Sequence, residues 1–292
     1  MSKRVAAAIV TAVGLSLIAA SAQAATRGGY AYVNGINLYY EIYGTGQPLV
    51  LLHGGLGSIE MYGPSLPMLS ASRQVIAVDL QAHGRTADID RPLRFELMAD
   101  DIAALIRQLG IEKADVMGYS LGGGVALQTA IRHPEVVRKL VVVSTPFKWD
   151  GWYPEVRAAM EQMGPEAAEG MKQSPLYQQY SSIAPRPQDW PVLVTKVGEL
   201  IKREYDWSKG VAAIKAPVLI VVGDADAVRT VHAVEFFALL GGGQRDAGWD
   251  GSGRPKADLA ILPGVTHYDI YRSPALWSTA IQFLDAPMPE SK

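Results

Sequence analysis

The segment Gly118-Tyr119-Ser120-Leu121-Gly122 limits what this chain can fold into more than any other stretch. It joins an apolar run over residues 114–118 directly to a helical pattern over residues 121–133. A strand that becomes a helix so abruptly forces the central residue into strained backbone angles, so its neighbours must be small. Gly118 and Gly122 meet that demand, and Gly124 is expected to ease the contact between helix and strand. The strain would hold the Ser120 hydroxyl clear of the surface at the mouth of a sheet. A lone G-x-S-x-G means little, because Gly and Ser are common, and a glycine-rich turn without chemistry is the bland alternative. Its place between strand and helix makes the pattern specific.

The rest of the chain repeats that alternation. Residues 30–33 and 37–43 are short alternating runs around Asn34-Gly35, a hairpin signal. Residues 48–53 and 74–80 are continuous apolar runs of the kind buried parallel strands show, and 114–118, 140–144, 218–223 and 259–263 supply four more. Between or after them fall helical patterns at 95–109, 121–133, 231–240 and 274–284. Eight strands and intervening helices predict an α/β fold, a mostly parallel sheet with helices on both faces. Residues 146–210 interrupt the pattern, with short helices punctuated by the six prolines from Pro154 to Pro191 and rich in aromatic rings. That composition suggests a helical lid inserted in a core made of 25–145 and 211–292. The glycine-rich stretch 241–257 carries Trp249; it follows a helix that runs back from the catalytic edge, so it is expected on the opposite side of the sheet.

With 292 residues and 49% hydrophobic content, the chain has material for one large core or two small ones. It has no cysteine, which excludes disulfides, thiolate zinc sites and a cysteine nucleophile. The net charge of −2 and the absence of a basic run argue against nucleic acid as a partner. At the N-terminus Lys3-Arg4, an apolar run over 5–20 and Ala22-Gln23-Ala24 read as a signal peptide ending at residue 24. Export to a periplasmic or extracellular space is therefore expected, with no membrane span left after cleavage; an uncleaved anchor is the alternative.

A serine hydroxyl needs a base to attack a carbonyl, and the base needs an orienting acid. Five histidines are available. His53 precedes Gly54-Gly55 and reads as shaping a loop, His83 sits in a turn, His133 ends a helix and His232 opens one. His267 lies just past the last expected strand, on the edge where all parallel strands end and where Ser120 must be. It is the candidate base. For the acid, Asp224 and Asp226 both follow the strand at 218–223. Asp224 suits a turn-holding bond, whereas Asp226 lies further out, within reach of the imidazole, and is preferred.

In these features the chain resembles the alpha/beta-hydrolase family from about residue 30 to its end. The likeness rests on His53-Gly54-Gly55, Asp79…His83-Gly84, the Ser120 turn, Gly223-Asp224-Ala225-Asp226 and Pro263-Gly264-Val265-Thr266-His267. It implies a helical cap at 146–210 and supports Asp226 as the acid. It also implies an oxyanion hole built from the backbone N–H groups of Leu121 and Gly55, with Leu56 as the fallback. The 241–257 stretch is longer than such relatives need.

Tyr119, Trp152 and Trp190 are candidate substrate contacts, and the ring-rich, methionine-containing cap favours a small, largely apolar substrate. Each ring has the alternative of packing the cap's own core. No phosphate loop, dinucleotide fingerprint or metal-ligand cluster is visible, so neither cofactor nor metal is expected. Asp88, Asp90, Asp100 and Asp101 read as solvated surface. The leading expectation is a serine hydrolase acting on carboxylic esters through an acyl-enzyme. The same triad serves carbon–carbon, lactone or amide hydrolysis and cofactor-free perhydrolysis. A ligand-binding, receptor-like module on the same fold is the non-enzymatic alternative.

Overall fold

Asn34 and Gly35 both take positive φ, 47° and 85°, as a two-residue hairpin turn between right-twisted strands demands. In the computed structural model, which describes Ala25 and residues 27–289, they join β1 (Arg27–Val33) to β2 (Ile36–Tyr43), with Val33 opposite Ile36. The expected signal peptide lies outside the described residues. The remaining strands are β3 (Gln47–Leu52), β4 (Arg73–Asp79), β5 (Ala114–Tyr119), β6 (Val137–Val143), β7 (Val218–Ala225) and β8 (Ala257–Thr266).

All eight form one sheet in the order β1-β2-β4-β3-β5-β6-β7-β8. β2 pairs antiparallel with both β1 and β4, and every pairing beyond β4 is parallel. The C-terminal ends of β3 to β8 therefore share one edge. Alternate strand residues serve opposite faces: Val50, Leu52, Val116 and Val142 pack in one apolar cluster, and Leu49, Leu51, Met117 and Val141 in the other. The first cluster lies under α2 (Phe95–Gln108), α3 (Leu121–Arg132) and α9 (Thr230–Leu239). The second lies under α1 (Leu66–Ser70) and α10 (Pro274–Asp285). Coverage on both faces explains why the central strands read as unbroken apolar runs.

β6 begins at Val137, three residues before the apolar run suggested, because its charged residues are satisfied rather than solvated. Arg138 pairs with buried Asp115, and Lys139, 1% exposed, donates to the carbonyls of Phe283 and Leu284 at the end of α10. Between β6 and β7 lie α4 (Pro154–Met160), α5 (Pro165–Gly170), α6 (Pro175–Ile183), α7 (Trp190–Ile201) and α8 (Ser208–Ala212). Prolines open α4, α5 and α6, where the missing N–H has no intrahelical partner to lose. After α9 the chain turns through Gly241, Gly243, Gly248 and Gly251, all at positive φ, and enters β8 at its N-terminal end, opposite the Ser120 edge. Trp249 is fully exposed there. Among the described residues, no helix is long and apolar enough to cross a membrane.

Candidate active site

Ser120 stands between β5 and α3 at φ 53°, ψ −118°, a conformation that non-glycine residues rarely hold. The glycines around it are steric necessities. A Cβ on Gly118 would lie 2.0 Å from the Gly122 carbonyl oxygen, and one on Gly122 would lie 2.4 Å from the carbonyl oxygens of Leu52 and His53. Gly124 has a different reason from the one expected: a Cβ there would strike the Phe95 ring at 2.5 Å, so it allows α3 to approach α2 rather than a strand. Ser120 N donates to Val143 O at 2.9 Å, and Thr145 Oγ1 donates to Ser120 O at 2.8 Å. The strained turn is thus held from β6.

His267 directly follows β8 and Asp226 directly follows β7, which places both beside Ser120 on the shared edge. Ser120 Oγ lies 3.0 Å from His267 Nε2, and His267 Nδ1 lies 3.0 Å from Asp226 Oδ1. Asp226 also accepts from Gly223 N and Val228 N, each at 3.1 Å, and from the Ser144 hydroxyl. Burial pushes its carboxyl up, but the bond and charge of His267 and the donors of Ser144 and Val228 outweigh that and hold it below the ordinary range. Asp224 instead accepts from Gly264 N at 2.8 Å, pinning the irregular end of β8 to β7. Ser144, itself at φ 51°, was missed from sequence. It closes the apolar run of β6, but only the β6–β7 pairing reveals that it faces Asp226.

The loop after β3 lies against this turn. A Cβ on Gly55 would sit 3.5 Å from Leu121 Cδ1, and one on Gly54 would sit 3.6 Å from Ser120 Cβ. The Leu121 amide opens α3, where the first-turn N–H groups lack intrahelical acceptors. Leu56 takes φ 60° and buries its side chain. His53 is wholly buried, and burial lowers its pKa to about 4, so the ring is neutral near pH 7.

Of the three proposed substrate contacts, Trp152 meets the site: its ring stands edge-on to His267, centroids 5.4 Å apart. Trp190 is corrected, whereas the Tyr119 ring lies as near His267 as that of Trp152, centroids 5.4 Å apart. Tyr119 is buried, and its hydroxyl donates to His267 O at 2.6 Å, so it supports the loop that carries the imidazole. Trp190 is 0% exposed; it packs on Tyr177 and Tyr180 and donates to Ala168 O at 2.9 Å, which is helix-to-helix packing among α5, α6 and α7. Two of the supposed surface acids are also engaged. Asp101 is buried against Arg91 and Asn34, and Asp88 accepts from Lys196 of α7 at 2.6 Å. A crevice of about 520 Å³ opens between Lys148, Asp150, Arg229 and Glu235, and neither Ser120 nor His267 lines it.

Residues 47–184 match the sequence model of the alpha/beta hydrolase fold, and the strand order and turn described above are those of that fold. The chain has the alpha/beta-hydrolase fold, and its residues 47–184 match that family. Among its relatives, it is 35% identical over 123 residues to the RutD protein of Azorhizobium caulinodans, assigned as a carbamate hydrolase, a stretch of 42% of this chain and 46% of that one. It is 36% identical over 115 residues to the 2-hydroxymuconate semialdehyde hydrolase of Pseudomonas sp. strain CF600, covering 38% of this chain and 41% of that one. The chain spans about half the length of the relatives it matches, or less. It superposes on the carboxylesterase CesB of Bacillus subtilis with a TM-score of 0.69 at 20% identity, covering 90% of this chain and 92% of that hydrolase. That likeness is one of fold.

Proposed function

We propose that this alpha/beta hydrolase is a serine hydrolase that cleaves a carboxylic ester, or a related acyl bond, of a small, largely apolar substrate through an acyl-enzyme. The observation that carries this reading is the continuous relay Ser120 Oγ–His267 Nε2 and His267 Nδ1–Asp226 Oδ1, both 3.0 Å, on a strained turn. Ser120 Oγ attacks the acyl carbon as its proton passes to His267 Nε2, and Asp226 stabilises the imidazolium. The former carbonyl oxygen takes the negative charge between the N–H groups of Gly55 and Leu121, a contribution of roughly 3 kcal/mol per donor. His267 then gives the proton to the departing alkoxide. Water, deprotonated by the same imidazole, repeats the attack and releases the acid with Ser120 restored. Leu121, Val197 and Trp152 give the site apolar walls, which suits an uncharged acyl group.

The likeness to a carbamate hydrolase keeps carbamate cleavage in view, and the triad by itself serves carbon–carbon, lactone and amide hydrolysis equally, so the test is a panel. A fluorophosphonate probe should label the wild type on Ser120 and leave Ser120→Ala unlabelled. Among matched aryl esters, lactones, amides, carbamates and vinylogous diketones, the ester should turn over fastest. A different preferred bond would reassign the reaction, and a protein neither labelled nor active would fit a binding module.

We also propose export, on the strength of the basic, apolar and small-residue order of residues 3–24. N-terminal sequencing of protein from cell fractions should find mature chains starting at Ala25 outside the cytoplasm. Intact chains retained inside would refute it.

A further inference from the structure

The loop after β3 contains a fully buried histidine that takes no part in the Ser120–His267–Asp226 relay. Leu80 N donates to His53 Nε2 at 3.1 Å, so Nε2 is the acceptor nitrogen of a neutral ring and the proton sits on Nδ1. Nδ1 lies 2.8 Å from Gly54 O and therefore donates to it. The same oxygen accepts a second bond from Gly57 N at 3.1 Å. Two donors thus clamp one carbonyl. No cis peptide occurs among the described residues, and in a planar trans peptide the C=O and the following N–H point in opposite directions. Fixing Gly54 O therefore fixes the direction of the Gly55 N–H. The next peptide, which carries the Leu56 N–H, receives no bond from His53.

We propose that His53 is the positioning residue of the oxyanion hole: its Nδ1–H holds the Gly54–Gly55 peptide so that the Gly55 amide, and not that of Leu56, meets the developing negative charge. This rests on the serine-hydrolase reading of the site. The residue is suited to the work because it stays neutral. Burial keeps its pKa near 4, and burial likewise lowers His83, whose ring centroid is 5.0 Å away, to about 3, so two neutral rings lie side by side. A neutral ring keeps one nitrogen as acceptor for Leu80 N and one as donor for Gly54 O, whereas a protonated ring would turn Nε2 against the Leu80 amide.

Two substitutions separate the two nitrogens. In His53→Asn the side-chain NH₂ takes the place of Nδ1 and can still donate to Gly54 O. In His53→Gln the amide reaches the Nε2 position and can accept from Leu80 N, but no side chain donates to Gly54 O, which keeps only the Gly57 N–H. With an aryl ester, His53→Gln should lose roughly 10- to 100-fold in kcat at nearly constant KM, because an oxyanion donor acts in the transition state. Its inhibition by an aryl boronic acid, which binds Ser120 as a tetrahedral adduct, should weaken in parallel. His53→Asn should recover most of both losses even where the two proteins have equal Tm. Equal kcat in the two variants, or kcat in His53→Gln within twofold of wild type, would overturn the proposal. Nitrogen-15 NMR of the histidine rings of the wild type decides it independently of any variant: an Nδ1–H tautomer for His53 is expected, and an Nε2–H tautomer would overturn it. Failure of the wild type to be labelled on Ser120 by a fluorophosphonate would instead sink the hydrolase reading itself, so the two failures are distinguishable.

Discussion

The Ser144 hydroxyl donates to Oδ2 of Asp226, the oxygen that His267 leaves unused. With Gly223 N and Val228 N, the buried carboxylate has three donors besides the imidazole. Ser144→Ala removes one hydrogen bond to a charged group and should lower kcat/KM by roughly tenfold. Asp226→Asn should cost roughly 10⁴ in kcat, since the amide can favour the wrong imidazole tautomer. Asp224→Asn should act mainly on stability. Steady-state kinetics on the three purified variants checks the order, and a larger kcat loss at Asp224 would mean the acid has been misassigned. Because the folded Asp226 lies below its ordinary range, it stabilises the fold above the unfolded carboxylate value and that share is lost as pH falls through the folded one. Ser144→Ala should therefore move acid unfolding to higher pH.

Ser120 combines its proposed role as nucleophile with strain. Ser120→Ala should abolish turnover while keeping the φ 53°, ψ −118° backbone. Ser120→Gly should be equally inactive yet more stable than Ser120→Ala by about 1 kcal/mol, because glycine tolerates that region. Urea unfolding of the two inactive variants measures it; an Ala variant as stable as the Gly variant would show that the turn is not strained.

Trp190 and Trp152 should behave oppositely. Trp190→Ala empties a filled site among α5, α6 and α7 and should cost about 3–5 kcal/mol, with relative kcat/KM across acyl lengths unchanged. Trp152→Ala, at the edge of His267, should change those ratios. Identical substrate profiles in both variants would remove Trp152 from the binding surface.

Lys196 fastens α7 to the loop before α2, donating to Asp88 Oδ2 at 2.6 Å, Ile89 O at 2.9 Å and Arg91 O at 2.8 Å. Lys196→Met keeps the apolar stem and loses all three bonds. Hydrogen exchange of the α7 amides should quicken while the exchange of β5 stays as it is. Unchanged α7 protection would mean that apolar packing alone holds the helix down.

His232 is buried and stacked on Phe147 at 4.2 Å, and neither ring nitrogen has a well-formed hydrogen bond, although Glu235 Oε2 approaches Nδ1 to 3.3 Å. Burial lowers its pKa to about 4. The unfolded chain then binds a proton that the folded one refuses, so stability should fall as pH drops from about 6.5 towards 4, by up to about 1.4 kcal/mol per pH unit. His232→Leu should flatten the slope of stability against pH in that window by close to one proton. An unaltered slope would show that the ring is protonated with Glu235 in the native state.

The hairpin at Asn34-Gly35, the α/β alternation and the Ser120 turn were legible because each is a local constraint: a φ the residues allow, a face they must bury, a Cβ that has no room. Positions in the relay were legible for a related reason, since parallel strands put every strand end on one edge. Three things were not legible. Lys139 and Arg138 hid the start of β6 because charged residues read as solvent-facing until Asp115 and the carbonyls of α10 are in place. Trp190 and Trp152 have the same composition signal, and which one meets His267 depends on how α4 to α8 fold back over the sheet. Asp88 and Asp101 looked solvated because their partners, Lys196 and Arg91 with Asn34, come from distant or irregular segments.

Ser120, His267 and the two-residue choice between Asp224 and Asp226 were set by chain-local chemistry, because strand-end position and residue type need no knowledge of neighbours. The sheet order decided the rest. Placing β6 beside β7 brings Ser144 to Asp226, and the irregular pairing of β7 with β8 turns Asp224 onto Gly264 and leaves Asp226 for His267. Placing β3 between β4 and β5 sets His53 between the amide of Leu80 and the carbonyl of Gly54, beside Ser120. A hydrogen bond between segments far apart in sequence has no signature in either segment alone; it exists only once packing has excluded water and left each polar group a single partner.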